Sequence, residues 1–193
     1  GQKTWVLFYF SGLGLGYMFL EIVLIEFFVP FLGHPIYAVA TVISVMLVSS
    51  GLGSLYSSRM KLPQKKLVKI TALISMIITG YALSLGLLLD QTVGWTGWGK
   101  LLITLLTIGL PAFFMGMPFP LGLQLVSARH QSQVPWAWGI NACVSVISTS
   151  LATVIAVEFG FKAVLLLAAA AYLMSLISLM SFGHGGIVKK GVT

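Results

Sequence analysis

Residues 5–28 read WVLFYFSGLGLGYMFLEIVLIEFF, and this stretch decides the fold class. Two carboxylates, Glu21 and Glu26, are its only charged residues. A helix of about 20 predominantly apolar residues is long enough to cross a bilayer core of about 30 Å. The stretch therefore predicts a transmembrane α-helix.

Five further stretches have the same character. Of the 193 residues, 58% are hydrophobic and 8% are charged, whereas a soluble domain has about 25% charged residues. The mean hydropathy is +1.02. We predict an all-α polytopic membrane protein with one domain of six transmembrane helices, residues 1–182, and a flexible, glycine-rich tail, residues 183–193. The predicted spans are residues 5–28, 36–56, 67–89, 101–126, 134–157 and 162–182.

The distribution of basic residues predicts the orientation, because cytoplasmic loops are enriched in lysine and arginine. With both termini in the cytoplasm (N-in, C-in), nine of the eleven basic residues are cytoplasmic. Those nine are Lys3, Arg59, Lys61, Lys65, Lys66, Lys69, Arg129, Lys189 and Lys190, and the two outside are Lys100 and Lys162. The net charge of +7 is dispersed over short loops, which argues against a nucleic-acid partner.

The outer face is predicted to be acidic, since Glu26, Asp90 and Glu158 fall near outer helix ends. His34 lies in the turn after the first span, between Pro30 and Pro35, which are predicted to end the first helix and start the second. The spacing of these acids and His34 matches no metal-ligand pattern. We predict no metal, no cofactor and no catalytic residue.

Glycines in the first two spans predict close helix packing. The sequence Gly12-Leu-Gly-Leu-Gly16 looks like the start of a nucleotide-binding loop, but the strand and the acidic residue that such a loop requires are missing. Small residues four positions apart let membrane helices approach closely. The predicted helix-packing positions are Gly12, Gly14, Gly16, Gly51 and Gly53.

Glu21 is the one carboxylate well inside a predicted span. A charge there costs at least about 2.5 kcal/mol, so the group should be protonated, paired or in contact with water. Two interpretations remain open: a cation or proton site, or a protonated carboxyl group that is hydrogen-bonded to a neighbouring helix.

The fourth span contains Pro111, Pro118 and Pro120, which predict a kinked or broken helix. Asn141 lies in the fifth span. Broken helices that face an intramembrane polar group are typical of transporters, and Glu21 with Asn141 is the candidate site. In the other interpretation, the prolines only shape helix packing and Asn141 bonds a neighbouring backbone.

Five blocks occur in order: GLGLGYMFLEIVLIE at 12–26, FLGHPIY at 31–37, SGLGS at 50–54, GMPFPLG at 116–122 and VPWAWGIN at 134–141. Together they resemble the membrane region of bacterial spermidine synthase-like multipass proteins. The resemblance implies a bundle similar to half of a major facilitator and a bacterial cytoplasmic membrane. The soluble aminopropyltransferase-like domain of that family is absent here, and Glu26-Phe27-Phe28 stands where the family has Gln-Arg-Phe.

Three functions follow as hypotheses. The first is a non-catalytic membrane subunit or anchor that packs against other membrane proteins or against copies of itself. The second is a half-transporter that moves a small solute, for example a cation, past Glu21, Asn141 and the broken helix. The third is the membrane part of an enzyme whose soluble domain is a separate chain. The substrate, the partners and the native status of Gly1 are left open by the sequence.

Overall fold

The structure is a computed structural model that describes residues 2–60, 64–129 and 131–185. The described residues form α1 (Gln2–Leu32), α2 (Pro35–Ser58), α3 (Gln64–Thr92), α4 (Trp98–Thr104), α5 (Leu110–Met115), α6 (Pro118–Arg129), α7 (Val134–Phe159) and α8 (Phe161–Gly185). A π-helical segment (Leu105–Gly109) joins α4 to α5, and a 3₁₀ turn (Gln131–Gln133) precedes α7.

Among the described residues, six helices are long and apolar enough to cross a membrane, which confirms the predicted all-α fold with six membrane-spanning helices. They are Thr4–Leu32, Pro35–Ser58, Gln64–Thr92, Trp98–Ala128, Gln131–Phe159 and Phe161–Ser181. The helix α8 continues to Gly185, so it includes the first residues of the predicted tail. The rest of that tail, residues 186–193, lies outside the described residues.

Pro30 does not end the first helix, so that prediction is wrong. The helix continues through Pro30 to Leu32. Gly33 ends it with a φ of 78° and donates its amide to the carbonyl of Val29 at 2.9 Å. A glycine in this left-handed conformation is a common helix end, and a proline one turn earlier removes a single backbone donor. The helix α2 then begins at Pro35, as predicted.

Side-chain contacts bring the start of α1, the start of α3 and the end of α8 together at one end of the bundle. Ser178 donates its hydroxyl to the carbonyl of Trp5 at 3.1 Å, and the Gln64 amide donates to the carbonyl of Leu179 at 2.9 Å. The exposed basic residues here are Arg59, Lys65, Lys66 and Lys69. We refer to this as the basic end.

The opposite end contains the end of α1 and the starts of α4 and α8. The Phe27 and Phe161 rings lie 5.7 Å apart, and the Lys100 ammonium group lies 4.8 Å from the centre of the Phe31 ring. The exposed acids here are Glu26, Asp90 and Glu158. The three exposed acids therefore lie at this end together with Lys100 and Lys162, whereas the exposed basic residues named above lie at the basic end.

The helix α1 lies at the centre of the bundle and packs against α2, α7 and α8. Its approach to α8 is very close, because Cβ atoms at Gly12 and Gly16 would overlap Ala171, Ser175 and the Tyr172 ring. The Ser175 hydroxyl uses this proximity to donate to the carbonyl of Tyr9 at 2.9 Å. Close packing and interhelical hydrogen bonds replace the hydrophobic effect that is missing in lipid.

The other predicted packing glycines differ in their surroundings. A Cβ atom at Gly53 would overlap the carbonyl group of Phe113, and one at Gly14 would lie 2.9 Å from the Asn141 carbonyl oxygen. Gly51 is exposed, and a Cβ atom there would have no neighbour within 4 Å in the described residues. Within the chain, Gly51 therefore takes no part in helix packing, because it faces away from the neighbouring helices.

Gly53→Ala is expected to lower the free energy of unfolding by about 1–3 kcal/mol, because the new methyl group must push α2 away from the Phe113 backbone. Gly51→Ala on the same helix is the matched control and should have no such cost. Unfolding in mixed micelles of increasing SDS content measures both. Equal stability of the two variants would contradict the close approach of α2 and α5.

Candidate functional site

The fourth span is interrupted twice. Its hydrogen-bond pattern widens in the π-helical segment before Pro111. The second interruption is at Gly116 and Met117. The Gly116 amide donates to the Ala112 carbonyl, and the Met117 amide donates to the Phe114 carbonyl. The helix α6 then begins at Pro118. Proline removes a helical donor and crowds the carbonyl four residues earlier. The interruptions lie beside the prolines that the sequence analysis singled out.

Two tyrosines that the sequence analysis missed supply donors to this broken span. Thr107 lies four residues before Pro111, so its carbonyl has no amide donor in a regular helix. The Tyr81 hydroxyl of α3 donates to it at 2.7 Å. The Tyr9 hydroxyl of α1 donates to the carbonyl of Pro118 at 2.8 Å. These two interhelical hydrogen bonds join the broken span to α1 and α3.

Beside the second interruption lies a cleft with a volume of about 480 Å³. Its lining comes from near the middle of α1, α7 and α8, from the second half of α2 and from the junction of α5 with α6. The lining residues are Leu13, Gly14, Tyr17, Met18, Leu47, Ser50, Gly51, Ser54, Met115, Gly116, Phe119, Pro120, Asn141, Ser145 and Tyr172.

The helix α1 forms the floor of the cleft, and α2 and α7 form its sides. Both of these helices pack against α1, but no extensive contact joins them to each other among the described residues. Leu47 and Gly51 on the α2 side are exposed, so the cleft is open there. Gly116 holds the α5–α6 junction directly against the Ser50 backbone, because a Cβ atom at that position would overlap it.

Several polar groups in the cleft have no protein partner. The side chains of Asn141, Ser145 and Tyr172 form no hydrogen bond with any residue that the structure describes. The Tyr172 side chain as a whole is only 1% exposed. By contrast, Ser50 donates to the carbonyl of Leu47 at 3.3 Å and lies 3.5 Å from the Tyr17 hydroxyl. The cleft therefore contains hydrogen-bonding groups that are not used by the fold.

Of the two residues in the predicted polar site, Asn141 lines the cleft and Glu21 does not. Glu21 is half-buried on α1, one turn beyond the lining residue Tyr17. Its carboxyl group forms no hydrogen bond within the described part of the chain. Only one member of the predicted pair therefore lines the cleft.

The predicted outer acids do not converge on a site. Glu26, Asp90 and Glu158 are each exposed. His34 caps α2, since its Nδ1 accepts the amide of Ile36 at 3.3 Å. Among the described residues, no three histidine, cysteine, aspartate or glutamate side chains come close enough to hold a metal ion.

No known protein family, curated protein sequence or solved structure matches this chain. The resemblance to spermidine synthase-like multipass proteins accordingly stays a prediction. The function must be argued from the geometry of the cleft and of the helix faces around it.

Replacing each of two buried tyrosines by phenylalanine tests which hydroxyl group the fold uses. Tyr9→Phe should lower the free energy of unfolding by about 0.6–1.7 kcal/mol, because it removes the bond to the Pro118 carbonyl. Tyr172→Phe should change it by less than about 0.5 kcal/mol, because no bond within the protein is lost. SDS-induced unfolding of both variants measures the difference, and a larger loss for Tyr172→Phe would show that its hydroxyl group stabilises the fold.

Proposed function

We propose that this chain is a non-catalytic membrane subunit that packs against a partner membrane protein through the face formed by α2 and α7. The observation that carries the proposal is the polar cleft between these helices. Polar groups without partners are costly in hydrocarbon, so lipid is a poor cover for Asn141 and Ser145. A second protein surface across the cleft would shield these groups from lipid.

The burial of the six spans supports the same face. In the most apolar part of each span, 11% of the residues are buried for α7 and 22% for α2, against at least 33% for the other spans. Small residues are also exposed on α7: Ala142 lies next to Asn141, whereas Gly139 and Cys143 lie on the side away from the cleft, in a groove with Leu7. A Cβ atom at Gly139 would meet no neighbour within 4 Å. Small exposed residues allow a partner helix to approach closely.

A second copy of this chain is the simplest partner, since it needs no further component. Two copies joined by their α2 and α7 faces would place two clefts against each other across a two-fold axis. For the orientation, we propose that the basic end faces the cytoplasm of a bacterial cell and that both termini lie on that side. The exposed basic residues Arg59, Lys65, Lys66 and Lys69 support this orientation.

Oxidative cross-linking in native membranes tests the proposed face. In a Cys143→Ser background, single cysteines at Leu47 of α2 and at Val146 of α7, which are 62% and 72% exposed, should form a cross-linked species of higher mass. The control is a cysteine at Met76 of α3, which is 73% exposed and does not line the cleft. Equal cross-linking at all three positions, or none at Leu47 and Val146, would contradict the proposed interface.

A second candidate function is favoured by the unused polar groups of the cleft. In this hypothesis the chain is half of a transporter, the cleft holds the solute, and Glu21 binds a proton or cation that is moved with it. The broken span beside the cleft supports the hypothesis, because interrupted helices line the substrate sites of many transporters. Half-buried Glu21, without a hydrogen-bond partner among the described residues, supports a role for its carboxyl group.

The transporter hypothesis is tested by proton flux in reconstituted vesicles with an imposed pH gradient. Glu21→Gln keeps the shape of the side chain and removes its titratable group, so flux should fall by about tenfold or more if a carboxylate inside the membrane is the proton carrier. Cross-linking through α2 and α7 should persist in this variant. Absence of proton flux in the unaltered protein would leave only the subunit function.

A further inference from the structure

We propose that the cleft is a binding site for a small uncharged organic solute with hydroxyl or amide groups. The site deepens the transporter hypothesis by naming a solute class. It also applies to a subunit that binds the solute without moving it. The inference rests on three properties of the lining: unused hydrogen-bonding groups, apolar walls and the absence of charge.

The Tyr172 hydroxyl group is the strongest indication of a ligand. The Tyr172 ring packs against Gly16, where a Cβ atom would overlap it. The side chain is 1% exposed and lines the cleft, and its hydroxyl group forms no hydrogen bond with a described residue. Buried hydroxyl groups in folded proteins normally have partners. A partner supplied by a bound solute accounts for a hydroxyl group that the fold does not use.

Asn141 and Ser145 add further hydrogen-bonding groups on the α7 side. They lie one turn apart and face Gly14, whose Cβ atom would lie 2.9 Å from the Ser145 hydroxyl oxygen and 3.2 Å from the Asn141 side-chain oxygen. Glycine at position 14 therefore allows α1 to pack closely beside both groups. An amide with a hydroxyl group offers donors and acceptors together.

The size and the walls of the cleft fit a small organic molecule. Its volume of about 480 Å³ lies within the usual range of about 300–1,000 Å³ for ligand sites, which are mostly apolar with a few oriented polar groups. Leu13, Met18 and Phe119 supply apolar walls. This combination suits a solute that has carbon surface as well as hydrogen-bonding groups.

The absence of charged residues from the lining disfavours the binding of ions. None of the lining residues is an aspartate, glutamate, lysine, arginine or histidine. Glu21 is one turn beyond Tyr17 and outside the lining. Moving an ion out of water into a site without a counter-charge is strongly unfavourable, whereas an uncharged solute needs only its hydrogen bonds replaced.

The closing experiment measures thiol modification in a Cys143→Ser background. A cysteine in place of Ser145 lies in the cleft, and a control cysteine in place of the neighbouring Val146 lies on the exposed face of α7. Permeabilised membrane vesicles are treated with uncharged 2-hydroxyethyl methanethiosulfonate or with its cationic trimethylammonium-ethyl counterpart. Each rate is divided by that of the same reagent with free 2-mercaptoethanol.

The cleft cysteine is expected to react with the uncharged reagent about tenfold faster than with the cation, on this normalised scale, because the lining offers hydrogen bonds and no counter-charge. The control cysteine is expected to react slowly with both reagents. Equal normalised rates at the cleft position would overturn the proposed solute class. Rates at the cleft position as slow as at the control would overturn the site itself.

A second pair of variants separates binding from mere access. In the protein with the cleft cysteine, Tyr172→Phe should slow the uncharged reagent by about threefold, because one hydrogen bond to the reagent is lost. Tyr37→Phe is the control, since Tyr37 is 66% exposed and does not line the cleft. An unchanged rate in Tyr172→Phe would overturn the role of its hydroxyl group. Cross-linking through α2 and α7 does not depend on any of these rates, so the site can fail while the subunit proposal stands.

Discussion

A backbone carbonyl that has lost its amide donor must find another donor when hydrocarbon surrounds the helix. Pro111 imposes this constraint on Thr107, and the Tyr81 hydroxyl of α3 satisfies it at 2.7 Å. A similar bond from Tyr9 of α1 reaches the carbonyl of Pro118 at the second interruption. These two bonds fix the broken span between α1 and α3. Gly116 then lies against the Ser50 backbone of α2, and one wall of the cleft is formed.

The glycines at positions 12, 14 and 16 of the central helix α1 have two roles: close packing against α8 and close packing beside α7 at the cleft. Gly12 and Gly16 face α8 and allow a contact so close that the Ser175 hydroxyl reaches the Tyr9 carbonyl. Gly14 points to the other side, where α7 brings Asn141 and Ser145 over the cleft. Successive small residues two positions apart lie on nearly opposite sides of a helix, since each residue turns it by about 100°. Packing and the cleft floor therefore come from the same short sequence.

Particular residues show how far sequence reasoning reached. Apolar length alone predicted six spans, and the part of the chain that the structure describes has six helices of that length and character. The prediction that Pro30 ends the first helix was wrong. The helix continues through Pro30 and ends where Gly33 adopts a left-handed conformation. Gly51 was grouped with Gly53, although only Gly53 faces another helix. Tyr81 was overlooked: the position four residues before Pro111 indicates that a donor is needed, but not which helix supplies it.

The sequence by itself determined that lipid surrounds this protein, how many spans it has and that its charges are distributed unevenly along the chain. Those properties depend on composition and on distances along the chain, which can be read without knowing any contact. Only the tertiary structure decided that Asn141 lines the cleft while Glu21 lies beyond it, and that the Tyr172 hydroxyl group is left without a protein partner. The reason is physical: in lipid, apolar matching does not choose which helices are neighbours. That choice comes from small residues and interhelical hydrogen bonds, which become visible only when the helices are packed together.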